Sequence, residues 1–182
     1  MIDLPDFQMI FPDATFPFPY APGGRMWYSL PDTYSFQSTP DFSNQPEVVK
    51  SREGLTEWLR SLESLTGVPL SRTILSGFSQ GGAMTLDVGL QLPVAALMVL
   101  SGYLHGPVQL GNPFPQKVLM VHGVQDLVVP ITAARQARQT LQQLGIEPEY
   151  QELPMGHEIS LRVLELMQNF TEQIRFEPEE TA

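Results

Sequence analysis

Apolar residues recur along this chain in two rhythms. Short, nearly continuous apolar runs stand at 73–75, 94–100 and 117–121, bounded by glycine- or proline-rich stretches, as strands covered on both faces are. Between them lie segments with apolar residues at helical spacing. Leu55, Trp58, Leu59, Leu62 and Leu65 mark a helix over 46–66, stopped by Gly67 and Pro69. Val163, Leu166, Met167, Phe170 and Ile174 mark the buried stripe of a last helix, and further helices are expected over 83–92 and 130–144. Residues 149–153 read as a late strand and residues 7–11 as an early one, ended by Pro12-Asp13. Strands alternating with helices predict an α/β fold, a mostly parallel sheet with helices on both faces.

Residues 12–46 break both rhythms. Proline and glycine punctuate a stretch that also carries Phe16, Phe18, Tyr20, Trp27, Tyr28, Tyr34, Phe36 and Phe42. It is too apolar for a disordered linker and too interrupted for a helix or central strand, so it reads as a structured excursion over the surface.

Composition narrows the function classes. At 182 residues, 42% hydrophobic, the chain suits one domain, placed at 1–176, followed by a frayed acidic tail at 177–182. There are no cysteines, which excludes disulfides, thiolate metal sites and a cysteine nucleophile. A formal net charge of −10 argues against nucleic acid as a partner. No apolar run is long enough for a membrane span, and the opening residues lack a signal-peptide pattern, so a cytoplasmic location is expected. The three histidines stand in separate loops without helical His-x-x-x-His spacing, so neither metal nor cofactor is implied. Oligomeric state is not encoded legibly.

The candidate chemistry centres on Ser76-Gly77-Phe78-Ser79-Gln80-Gly81-Gly82. A strand ends there and a helix begins, with a serine at the apex of the turn. Gly77 and Gly81 flank it where a side chain would collide as the backbone reverses. Such a nucleophile elbow presents a strained, exposed hydroxyl, and the amide of Gln80 faces a developing oxyanion. A serine needs a base, and the base needs a carboxylate to orient it. Asp126 and His157 each follow a predicted strand, so three loops leaving strand ends carry Ser, Asp and His in that chain order. Simpler roles exist for each: Ser79 as a helix cap, Asp126 as a turn or cap residue, His157 as a solvated loop residue. His122 is expected to support the acid loop, His105 to be exposed, and Asp87 to face away from the strand ends.

These motifs are familiar together. Gly77-Phe78-Ser79-Gln80-Gly81-Gly82, His122-Gly123 leading to Asp126 with Val129-Pro130, and Gly156-His157 resemble the phospholipase/carboxylesterase family. That family includes bacterial carboxylesterases and acyl-protein thioesterases, small α/β-hydrolases without a large lid domain. The resemblance runs from about residue 7 to 170. It implies hydrolysis of a small acyl ester or thioester, with Ser79 as nucleophile, His157 as base and Asp126 as its orienter. The Phe11-Pro12-Asp13-Ala14 string and Trp27 resemble the family's approach to the acyl site, which makes Trp27 the expected substrate contact; ordinary packing under a long loop is the other reading of these aromatics. One departure stands out. The family's early strands and His-Gly loop, which supply a second oxyanion donor, have no counterpart before residue 7. Two readings follow. Either the natural protein starts upstream and the α/β-hydrolase domain is N-terminally shortened here, or the chain is a catalytically impaired, binding-only homologue. In both, the absent strand leaves a gap in the sheet or lets strand 7–11 pair with the nucleophile strand.

Overall fold

The computed structural model describes residues 4, 6–30, 41–112, 114, 117–174 and 176. A two-residue hairpin, β1 (Phe16–Pro17) and β2 (Arg25–Met26), comes first, then α1 (Pro46–Thr66) and a 3-10 turn at Leu70–Arg72. There follow β3 (Ile74–Phe78), α2 (Gln80–Gly89), β4 (Ala96–Leu100), β5 (Lys117–Gly123), α3 (Ile131–Gln143), β6 (Glu149–Leu153) and α4 (Leu161–Gln173). Tyr34, Phe36 and the acidic tail at 177–182 lie outside the described residues.

The main sheet has the order β3-β4-β5-β6, every pair parallel. Its central strands are the most apolar segments of the chain. All five residues of β4 are buried, and its alternate side chains feed two cores. Leu97 and Val99 join Val118 and Met120 of β5 on one face, whereas Ala96, Met98 and Leu100 join Leu119 and Val121 on the other. This is the two-residue period of a strand. Helices α1, α2 and α3 cover the first face with Leu55, Leu59, Met84, Leu86, Ala137 and Leu141. The other face is covered by α4, through Val163, Leu166, Phe170 and Ile174. The layout follows from handedness: β3→β4 and β5→β6 step in the same direction, so right-handed crossovers place α2 and α3 on one side. The result is an α/β-hydrolase-like fold.

Several helix bounds match the apolar rhythm. Pro46 opens α1, and Gly67, at φ 73, closes it with its amide bonded to the Glu63 carbonyl. The buried face of α1 runs Val48, Ser51, Leu55 and Leu59; Leu65, expected in the stripe, lies in the last turn of the helix and is 75% exposed.

The early strand does not form. Residues 7–11 have no ladder partner and no regular structure, and Phe11 is 82% exposed. A strand needs a neighbour to satisfy its backbone, and these residues do not pair with β3. Among the described residues β3 therefore ends the sheet. The two edges differ in kind. The sequence of β6, Glu-Tyr-Gln-Glu-Leu, suits an edge, whereas that of β3, Ile-Leu-Ser-Gly-Phe, carries none of the charges that guard one.

Leu119 is fully buried between β4 and α4. Leu119→Ala is expected to lower unfolding free energy by about 3–5 kcal/mol, read as a reduced urea midpoint at unchanged m-value.

Candidate active site

The turn between β3 and α2 has the strain the motif implies. Ser79 adopts φ 57, ψ −119, in the region L-residues avoid, and its side chain makes no capping bond to α2. The turn needs Gly77 in a specific way: a Cβ added there would stand 2.1 Å from the Gly81 carbonyl oxygen. Gly81 itself is different. A Cβ on Gly81 would meet only the Trp27 indole nitrogen, at 3.9 Å, so the expected collision is at Gly77 alone. Gly81 matters to the turn as backbone.

Parallel ladders bring the carboxyl ends of β3, β5 and β6 to one rim, and the three loops there meet. His157 Nε2 lies 3.0 Å from Ser79 Oγ, and His157 Nδ1 lies 2.7 Å from Asp126 Oδ2. Two backbone ties fix the loops. The Ser79 amide donates to the Leu100 carbonyl at 2.9 Å, and the Gln125 amide to Met155 at 3.1 Å. The Phe78 ring packs on the His157 imidazole with centroids 4.6 Å apart. Asp126 is a turn residue as well as a partner of His157. Its Oδ1 accepts from the amides of Val128 and Val129 at 2.9 and 2.8 Å while Oδ2 faces the imidazole.

Electrostatics bias the charge states of Asp126 and His122. Burial pushes the Asp126 carboxyl up, but hydrogen bonds from His157 and from the Val129 and Val128 amides outweigh it and hold the group below the usual carboxylate range. His122 is pushed down by burial, so its neutral form is favoured. Its Nε2–H donates to the Val129 carbonyl at 2.7 Å, which braces the acid loop from beneath. The first residue of α2, Gln80, has an amide with no carbonyl four residues back inside the helix, so it stands available at the helix N-terminus. Among the described residues no cluster of three His, Cys, Asp or Glu could hold a metal ion, and no helix is long and apolar enough to cross a membrane.

Other expectations need correction. His105 is buried, not exposed. Its Nδ1 bonds Asp87 and its Nε2 the Tyr28 hydroxyl, each at 2.8 Å, and Arg52 pairs with Asp87 at 2.8 Å. Asp87 thus joins a polar network with His105 and Arg52. Burial pushes the Asp87 carboxyl up, and the His105 and Arg52 bonds more than reverse it. Of the loop aromatics, Tyr28 and Phe42 are core residues, Tyr20 is 86% exposed, and Trp27 packs beside the elbow. The side chain of Gln80 also does more than the motif suggests: Oε1 accepts from the Trp27 amide at 3.2 Å and Nε2 donates to the Tyr28 carbonyl at 2.9 Å. No sequence spacing signals that bond pair.

Residues 1–175 match the family model described as Phospholipase/Carboxylesterase. The chain belongs to this family. A curated relative, acyl-protein thioesterase 1 of Neurospora crassa, is 32% identical over 115 residues, 58% of this chain and 47% of the relative. A probable carboxylesterase, SOBER1-like, of Arabidopsis thaliana is 28% identical over 81% of this family member and 58% of its own length. The chain therefore spans about half the length of these curated relatives. Among solved structures, esterase PE8 superposes with a TM-score of 0.77 at 28% identity, over 90% of this chain and 77% of that one. Arabidopsis thaliana SOBER1 superposes with a TM-score of 0.70 at 25% identity, over 90% and 82%.

Two outcomes test the local account. Gly77→Ala is expected to fail to fold or to lose several kcal/mol, whereas Gly81→Ala folds with stability within about 1 kcal/mol of the parent, measured by thermal melts. The His122 imidazole, its folded pKa below its unfolded value near 6.5, binds protons more readily when unfolded. Its contribution is thus whole above pH ~6.5 and lost as pH falls below it. His122→Gln, which can still donate to the Val129 carbonyl, is expected to flatten the first part of the acid-side fall in melting temperature.

Proposed function

We propose that this chain is a serine carboxylesterase acting on small acyl esters or thioesters. One observation carries the reading: the unbroken array of Ser79 Oγ, His157 and Asp126, with the serine strained outward at the mouth of the sheet. In the mechanism that this supports, His157 Nε2 takes the Ser79 proton as Oγ attacks the acyl carbonyl. Asp126 holds the Nδ1–H tautomer and offsets the imidazolium charge. The tetrahedral oxyanion accepts from the Gln80 amide. His157 then protonates the leaving alcohol or thiol, and water enters by the reverse route to release the acid from the acyl-enzyme. Trp27, beside the elbow, borders the acyl group.

A second reading has one observation behind it. Because β3 ends the sheet among the described residues, no strand-following loop flanks Ser79 on that side, and the Gln80 amide is the one oxyanion donor we assign. Loss of one donor lowers rate by about 10²–10³-fold. A chain so impaired would bind acyl compounds without turning them over.

Fluorophosphonate labelling separates the two. The parent is expected to label at Ser79 and to cleave p-nitrophenyl esters. His157→Ala is expected to abolish labelling, and Asp126→Asn to lower kcat by about 10⁴-fold. A folded parent that neither labels nor cleaves these esters refutes the esterase reading.

A further inference from the structure

Residues 27–29 form a strap that crosses the elbow with its backbone held by side chains. The Trp27 amide donates to Gln80 Oε1, and the Trp27 carbonyl accepts from Ser51 Oγ on α1. The Tyr28 carbonyl accepts from Gln80 Nε2. Ser29 donates its amide to Glu47 Oε2 at 2.6 Å and accepts at its carbonyl from Gln45 Nε2 at 2.9 Å. Buried backbone groups must find partners, and a strap without a neighbouring strand finds them where helices can reach it. The Tyr28 side chain is wholly buried beneath, its hydroxyl 2.8 Å from both Tyr103 and His105. Of the side chains that hold this backbone, Gln45, Glu47 and Ser51 precede or lie on α1. Gln80 alone comes from the elbow, one residue from Ser79.

A carboxamide suits the position because the two bonds have opposite polarity: one atom accepts from an amide and the other donates to a carbonyl. The same strap carries the Trp27 indole, whose Nε1 stands 3.9 Å from where a Cβ on Gly81 would lie. We infer that the Gln80 carboxamide is a positioning group that holds the strap, and with it the Trp27 indole, in register with the Ser79 hydroxyl, and so sets which acyl groups reach the nucleophile. This rests on the esterase reading and adds to it the element that governs acyl selectivity. One residue then serves the site twice: its amide faces the oxyanion and its side chain fixes the wall of the acyl site.

The test uses a Trp58→Phe background, in which Trp27 is the sole tryptophan, since the chain has two. Gln80→Met keeps the shape and the backbone amide but removes both bonds; Ser51→Ala removes the tie at the Trp27 carbonyl and leaves the elbow untouched. Hydrolysis of p-nitrophenyl acetate, butyrate and octanoate is measured with Trp27 emission. Gln80→Met is expected to red-shift the emission and to raise the ratio of the octanoate KM to the acetate KM about tenfold. Ser51→Ala is expected to move that ratio the same way by less. A fall in kcat shared equally by the three esters at unchanged KM places the carboxamide's effect on the elbow and overturns the proposal, as do parental emission and parental KM together. If the parent cleaves none of the esters, the esterase reading fails on its own; emission then decides the strap, a shift in Gln80→Met sustaining its held position and an unshifted spectrum refuting it.

Discussion

The arrangement at the rim depends on a backbone reversal that leaves no room on its inner side. Ser79 is driven to positive φ because α2 starts directly above the end of β3, and the Gly81 carbonyl occupies the space a Gly77 side chain would need. The strain is local, and what over-determines it is regular structure on both sides: five registered pairs between β3 and β4, and a helix whose buried face is packed against the sheet. The hydroxyl is therefore aimed by the architecture. The parallel ladder then does the rest, because strands that share a direction end at the same rim and deliver their loops to one place.

Much of this was legible in the sequence. Continuous apolar runs became the two central strands because only residues covered on both faces can be so uniformly apolar. The helix at 46–66 ended where Gly67 could adopt a left-handed turn that other residues resist. Ser79, Asp126 and His157 each stood directly after a strand, and a parallel sheet has no choice but to gather such residues. What stayed hidden depended on pairing between distant positions. The apolar look of residues 7–11 could not say whether a neighbour would receive them. Arg52, Asp87 and His105 carry no common motif; their union depends on α1, α2 and the loop after β4 packing together. Leu65 had the right spacing, but in the last turn of α1 it stands exposed.

The two sheet faces are built on different terms. Three helices share the first face, and a polar network joins buried His105 and Tyr28 to half-buried Arg52 and Asp87 beside it, each charge with a partner. The first face thus combines apolar contact with directional bonds that specify how the loop at 27–29 lies. The second face is almost wholly apolar, and its shape is set by packing.

That asymmetry has a consequence for how the molecule comes into being. The loop bearing His157 leads straight into α4, the helix that covers the second face. During synthesis, β3, β4 and β5 can emerge with α1 and α2 already seated, and the serine can be strained outward, while the imidazole is still inside the ribosome. The Ser79 hydroxyl can thus be set in place before its partner arrives, and the step that covers the second face of the core also brings the His157 imidazole to within hydrogen-bond distance of it.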